Sequence, residues 1–129
     1  MATTAQRVGR LRGALHALVA SQAELEATEE RQESARRGCA AIADLRDRQP
    51  AEVAGVLRSV TLRARENVPA LEAELYDGSG ALRVVWTGQR RIAGIEPGRR
   101  ARLRGFVCTQ DGRRTMFNPR YELSARPHG

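Results

Sequence analysis

The sequence predicts a mainly β fold: a small five-stranded Greek-key barrel preceded by one long amphipathic α-helix. Three observations carry this prediction. Apolar residues recur at helical spacing before about residue 35, and at a spacing of two from Glu52 onward. Turn chemistry separates the strand-like runs at Asp77-Gly78-Ser79-Gly80, Pro97-Gly98 and Asp111-Gly112. The alternation between those turns is regular enough to assign cross-strand partners. With 129 residues and an apolar content of 41%, the chain suffices for one domain with a modest core.

Val8, Leu11, Leu15, Leu18, Gln22 and Leu25 alternate steps of three and four, which places them on one stripe of a helix from about residue 5 to 35. The helix charges oppose its dipole. Arg7, Arg10 and Arg12 lie near its start, whereas Glu24, Glu26, Glu29, Glu30 and Glu33 crowd its end. An antiparallel copy of the helix would compensate both ends, and so would docking of the acidic end on a basic barrel. The stripe is equally compatible with packing on its own barrel. Gly38 and the Asp44 to Pro50 stretch read as helix stop and linker, giving a helical segment 1–49, a barrel 50–125 and a loose tail 126–129.

Glu52 to Leu62 is rich in Val, Leu and Thr and contains Gly55, as expected of a long strand bent at a bulge. Pro69 to Tyr76 and Ala81 to Thr87 flank the Gly78-Ser79 turn. A hairpin there pairs Leu75 with Leu82, Ala73 with Val84 and Leu71 with Trp86 on one apolar face. Its other face carries Tyr76, the Glu74 and Arg83 pair, Glu72 beside Val85, and Thr87. Gly88 to Ile95 suggests a short helix or helical turn, ended by Pro97-Gly98. Arg99 to Cys108 alternates Ala101, Leu103, Gly105 and Val107 with Arg100, Arg102, Arg104 and Phe106. Arg113 to Leu123 supplies the last strand, interrupted at Pro119.

All 22 basic residues are arginine, and against 15 acids the net charge is +7. A G+C-rich genome explains the absence of lysine as readily as a demand for bidentate phosphate contacts. Residues 1–50 carry 8 Arg and 7 acids, leaving 14 Arg and 8 acids in residues 51–129. The positive excess therefore belongs to the barrel, and it favours a polyanionic partner over a merely solvated basic surface. Cys39 and Cys108 lack metal-like spacing and read as thiols in a reducing cytoplasm. No apolar run approaches the roughly 20 residues that span a bilayer, so no membrane partner is expected. His16 and His128 belong to no nucleophile, acid-base or zinc constellation, and no phosphate-binding glycine loop is present. The expectation is a protein that is not an enzyme, with no cofactor and no metal.

Val53-x-Gly55-x-Leu57, Tyr76-Asp77-Gly78-Ser79-Gly80, Val84-Val85-Trp86, Ile95-Glu96-Pro97-Gly98 and Leu103-x-Gly105 resemble the barrel pattern of the wedge domain of RecG-type helicases and of anticodon-binding barrels. Five strands with an element between the third and fourth match the OB-fold. With its acidic helix and its Met116-Phe117-Asn118-Pro119-Arg120-Tyr121-Glu122-Leu123 ending, the whole chain most resembles small stand-alone actinobacterial OB-fold proteins, which are described as nucleic-acid binders of unsettled role. The resemblance spans about residues 50 to 123 for the barrel. It implies ligand contact on the second and third strands and their flanking loops.

One Trp, two Tyr and two Phe are few for a barrel that stacks bases, so phosphate contact by arginine is the expected mode. Trp86 is assigned to the core by its pairing with Leu71, whereas Tyr76 suits either base stacking or cover for a neighbouring strand. Arg83 suits phosphate contact or a cross-strand ion pair with Glu74. Further candidates are Arg58 on strand one, Arg63 and Arg65 in the loop expected after it, Arg90 and Arg91 after the third strand, Arg104 on the fourth, and Arg113 and Arg114 beside the last hairpin turn. Single-stranded or structured DNA or RNA, bound with little sequence specificity, is the expected partner. The alternative is an adaptor that dimerises or docks on a protein through residues 5–35, and a third possibility is masking of the arginines by Glu24 to Glu33.

Overall fold

One bent strand organises the barrel. The computed structural model describes residues 4–36 and 38–124, and within the helix the side chains of residues 4–18 and of Arg36 lie outside that description. The side chains of Val8, Leu11, Leu15, Leu18 and His16, together with the 126–129 tail, are thus sequence expectations only. The elements run α1 (Thr4–Arg36), a 3-10 turn (Ile42–Asp44), β1 (Gln49–Arg65), β2 (Val68–Tyr76), β3 (Ala81–Thr87), β4 (Arg100–Gln110), β5 (Arg113–Phe117) and β6 (Arg120–Leu123).

The first half of β1 pairs antiparallel with β4, from Gln49 opposite Val107 to Val56 opposite Arg100. Its second half pairs with β2, out to Arg65 opposite Val68, and the register shifts between Leu57 and Ser59. The crossing is possible because Gly55 has no side chain: a Cβ there would overlap the Tyr76 carbonyl oxygen. β2 and β3 form the hairpin, β3 runs parallel to β5, and β4 pairs with β5 and β6. The ring β1-β2-β3-β5-β4 closes through β1–β4. This is a barrel-like OB fold, mainly β with one N-terminal helix.

The ring encloses Val53, Leu57, Leu75, Leu82, Val84, Leu103, Val107 and Met116, all with no exposed surface. Trp86 joins them as expected; its Nε1 donates to the Pro119 carbonyl at 3.3 Å, and its ring meets Tyr121 edge-on at 5.9 Å. Ile42 and Leu45 also belong to this core, so the 3-10 turn is part of the barrel packing. Asp77 holds that turn in place. Its Oδ2 accepts from the Ile42 N–H at 2.8 Å, while Oδ1 accepts from the Ser79 N–H, the Ser79 hydroxyl and the Gly80 N–H.

Three expectations need correction. β1 spans Gln49–Arg65 rather than Glu52 to Leu62, because its connection to β2 shrinks to Glu66-Asn67, with φ of 49° and 66°. Two positive φ values make the tight turn that suits a right-twisted hairpin, and Arg63 and Arg65 therefore lie on the strand and not in a loop. Between β3 and β4 there is no helix; successive turns are closed by Ile95 N–H to Ile92 O at 3.1 Å and Arg99 N–H to Glu96 O at 3.2 Å. The last strand is two strands, since Asn118 at φ 51° and Pro119 break the ladder between β5 and β6.

Among the described residues, α1 meets the barrel through its last part, from Ala27 onward. Arg100 forms a bidentate pair with Glu30, with nitrogen–oxygen distances of 2.7 and 2.9 Å, and Ser34 is buried. The Ala27 carbonyl lies so close to Gly78 that a Cβ there would overlap it. Upstream, residues 19 to 26 are all exposed.

Candidate nucleic-acid interface

The outer face of the β2–β3 hairpin is the floor of a groove. Alternation sends Leu71, Ala73 and Leu75 inward on β2 and leaves Glu72, Glu74 and Tyr76 outside, and on β3 Arg83 faces the same way. One wall comes from Ser59, Thr61 and Arg63 of β1, the other from Gly112, Arg113 and Arg114 of the β4–β5 hairpin. The groove encloses about 430 Å³ and is lined by four arginines against two glutamates. A second hollow of about 510 Å³ is lined by Arg65, Pro69, Thr87, Gln110 and Phe117 among others, and its Arg65 pairs with Glu72 of the groove.

Arg83 is the most firmly held of these cations. Its Nε donates to Thr115 Oγ1 at 3.2 Å and its Nη2 to the Gln110 carbonyl at 3.0 Å, with Asp111 at 3.7 Å. The expected ion pair with Glu74 does not form, although the two residues are register partners. The parallel β3–β5 pairing places Thr115 opposite Arg83 and offers the guanidinium fixed acceptors that a surface carboxylate does not match. Arg114 is likewise a tether, donating from Nη2 to Ala43 O at 3.0 Å and from Nε to Leu45 O at 3.4 Å. These bonds engage Nε and Nη2 of each guanidinium, and Nη1 is required by none of them.

Arg63 and Arg65 share one carboxylate, Glu72, at 3.5 and 3.7 Å. Arg65 also lies 5.6 Å from the centre of the Phe117 ring. Tyr76 has one ring face covered by Arg58, whose guanidinium carbon sits 3.4 Å from the ring centre. Arg113 is exposed, and among the described residues its side chain makes no ion pair.

The remaining candidates lie elsewhere. Arg90 and Arg91 are exposed in the turns after β3, where Arg91 lines a separate hollow with Trp86, Ile92, Asn118 and Tyr121. Arg104 is exposed on the outer face of β4, opposite Arg120 and two residues from the exposed Phe106. Arg102 on that face pairs with Glu52 at 2.6 Å, and this hydrogen bond raises its already high pKa further. The structure thus brings Arg63, Arg83, Arg113 and Arg114 together, with Arg58, Arg65 and Tyr76 on neighbouring positions. Sequence reasoning missed Ser59, Thr61, Gln110, Thr115 and Phe117. The outward parity of β1 carries the signal for the first two; the others depend on the β3–β5 pairing, which has no local signature.

Among the described residues, no three His, Cys, Asp or Glu side chains converge on a possible metal site. No helix there is long and apolar enough to cross a membrane. No protein-family model and no curated protein sequence matches the chain. Among solved structures, it is similar to RecG bound to a three-way DNA junction, with 22% identity and a TM-score of 0.53. That likeness covers 64% of this chain but 12% of the RecG chain, and at this identity what it shows is the shared barrel-like OB fold.

Proposed function

We propose that the barrel, residues 50–125, binds single-stranded or structured DNA or RNA through arginine contacts to phosphates, with little sequence specificity and without catalysis or a cofactor. The observation that carries this reading is the groove on the hairpin face, where Arg63, Arg83, Arg113 and Arg114 converge. Arg83 and Arg114 are already immobilised by protein acceptors, so ordering them on a phosphate costs less side-chain entropy than ordering a free surface arginine. No aromatic residue lines this groove, and the neighbouring Tyr76 has one ring face covered by Arg58, which favours backbone contact over base stacking. The solved structure of similar fold, RecG, is bound to a three-way DNA junction, which supports a nucleic-acid ligand for this barrel.

Titration of labelled single strands, duplex and a three-way junction at several salt concentrations tests the proposal. Four phosphate contacts on a single strand predict a salt slope of about −2.8, and Arg113→Ala is expected to shallow it by about 0.7. Absence of binding near physiological salt overturns the function. Binding that Arg113→Ala and Arg83→Ala leave unchanged, while Arg104→Ala with Arg120→Ala abolishes it, overturns the groove as its site.

A further inference from the structure

We infer that the part of α1 before Ala27 is a self-association surface, on which two copies of this chain pair antiparallel along residues 8–25. The helix is 33 residues long, about 50 Å, yet its described contacts with the barrel begin at Ala27. Val19 and Leu25, within the part that extends away, are 63% and 59% exposed. Sequence spacing puts Leu25 on the stripe of Val8, Leu11, Leu15, Leu18 and Gln22, so the stripe stops just before the barrel begins.

Charge selects the occupant and the orientation. The first turn of α1 contains no acid, Arg7, Arg10 and Arg12 lie early, and Glu24, Glu26, Glu29, Glu30 and Glu33 lie late. Each group is unfavourable against the dipole of its own helix, and Arg100 of the docked barrel pairs with Glu30. In an antiparallel second copy, Arg7 and Arg10 of one helix lie beside Glu26 and Glu24 of the other, and the same contacts repeat at the other end. A parallel copy stacks like charge on like charge.

The stripe is also symmetric about its midpoint. Antiparallel pairing sets Val8 against the partner's Leu25, Leu11 against the partner's Gln22, and Leu15 against the partner's Leu18. Gln22 is the one polar residue in the seam, the kind of position that fixes register at some cost in stability. The paired segment measures about 27 Å, and the Ala27 positions at which the two barrels begin lie about 30 Å apart along the axis. If the grooves bind nucleic acid as proposed above, the pair presents two of them to one strand, a consequence that rests on that reading.

Light scattering of the full chain, without nucleic acid, is expected to give twice 14.2 kDa. A mass of 14.2 kDa at about 100 μM overturns the inference. Leu15→Glu with Leu18→Glu is expected to return the monomer while the barrel's thermal transition persists; a dimer that survives both substitutions refutes the surface. Orientation is tested by mixing Val8→Cys and Leu25→Cys chains in a Cys39→Ser, Cys108→Ser background. A disulfide between the two variants supports the antiparallel pair, and Val8→Cys chains linked to each other overturn it.

Discussion

Asp77→Ala is expected to loosen the barrel where the linker enters it. The carboxylate is 1% exposed and receives four hydrogen bonds, one from a backbone N–H whose residue, Ile42, has no exposed surface. Removing the acceptor leaves that N–H buried and unpaired, which costs about 1–3 kcal/mol. The three bonds to Ser79 and Gly80 are partly solvated, and together they contribute a further ~1.5–2 kcal/mol. The total, about 2.5–5 kcal/mol, is a large fraction of the stability of a domain this size. Asp77→Asn separates the two contributions: its amide oxygen still accepts from the turn, but an amide nitrogen then faces the Ile42 N–H, and a loss of about 1–3 kcal/mol is expected. Urea unfolding followed by the fluorescence of the single, buried Trp86 measures both variants. An Asp77→Ala protein within 1 kcal/mol of the parent refutes the tether, and an Asp77→Asn protein as unstable as the alanine variant refutes the weight given to the turn bonds.

Gly78→Ala addresses helix docking: φ is 88° and the new methyl group overlaps the Ala27 carbonyl, so about 1–2 kcal/mol of left-handed strain should come with release of the helix end. Hydrogen exchange should quicken at residues 27–34 and stay unchanged in β1 and β4; equal protection throughout contradicts the close approach. Trp86→Phe removes the bond to Pro119 O and part of the edge contact with Tyr121, for an expected loss of about 1–3 kcal/mol in thermal unfolding. An unchanged melting temperature argues against the indole's bridging role.

The hairpin was legible because its information is local. Alternation fixes which side chains face inward, and a glycine turn fixes the register, so all five partner pairs expected from Leu75–Leu82 to Leu71–Trp86 occur. The β1–β2 turn was not legible for the converse reason. Glu66 and Asn67 adopt positive φ without a glycine, so nothing in the residue types distinguished a two-residue turn from a loop. Asp111-Gly112 likewise has two positive φ values, 54° and 72°, and was readable, since a glycine occupies the second position. The segment from Gly88 to Arg99 offered a helical spacing at Ile92 and Ile95, but Gly94 at φ 83° turns the chain after a single closed turn.

The candidate site was harder to read than the fold because an arginine's role depends on what lies across the sheet from it. Glu74 is as close to Arg83 in register as Thr115, yet the buried threonine and a carbonyl hold the guanidinium and the carboxylate does not. Glu72 is the informative opposite case. It faces Arg63 and Arg65 together, so one negative charge is set against two positive ones and the cluster keeps a net charge of +1. A second carboxylate there would have closed the cluster as an internal ion-pair network. On the proposed reading, a phosphate completes it instead, and charge neutralisation at Glu72 separates the two descriptions. Glu72→Gln should raise nucleic-acid affinity severalfold if the guanidiniums are available to phosphate, because it removes a competing anion 3.5 and 3.7 Å away. Reduced affinity in a variant of unchanged stability would show that the carboxylate positions the two arginines, and that their pairing is a requirement of the site and not a competitor for it.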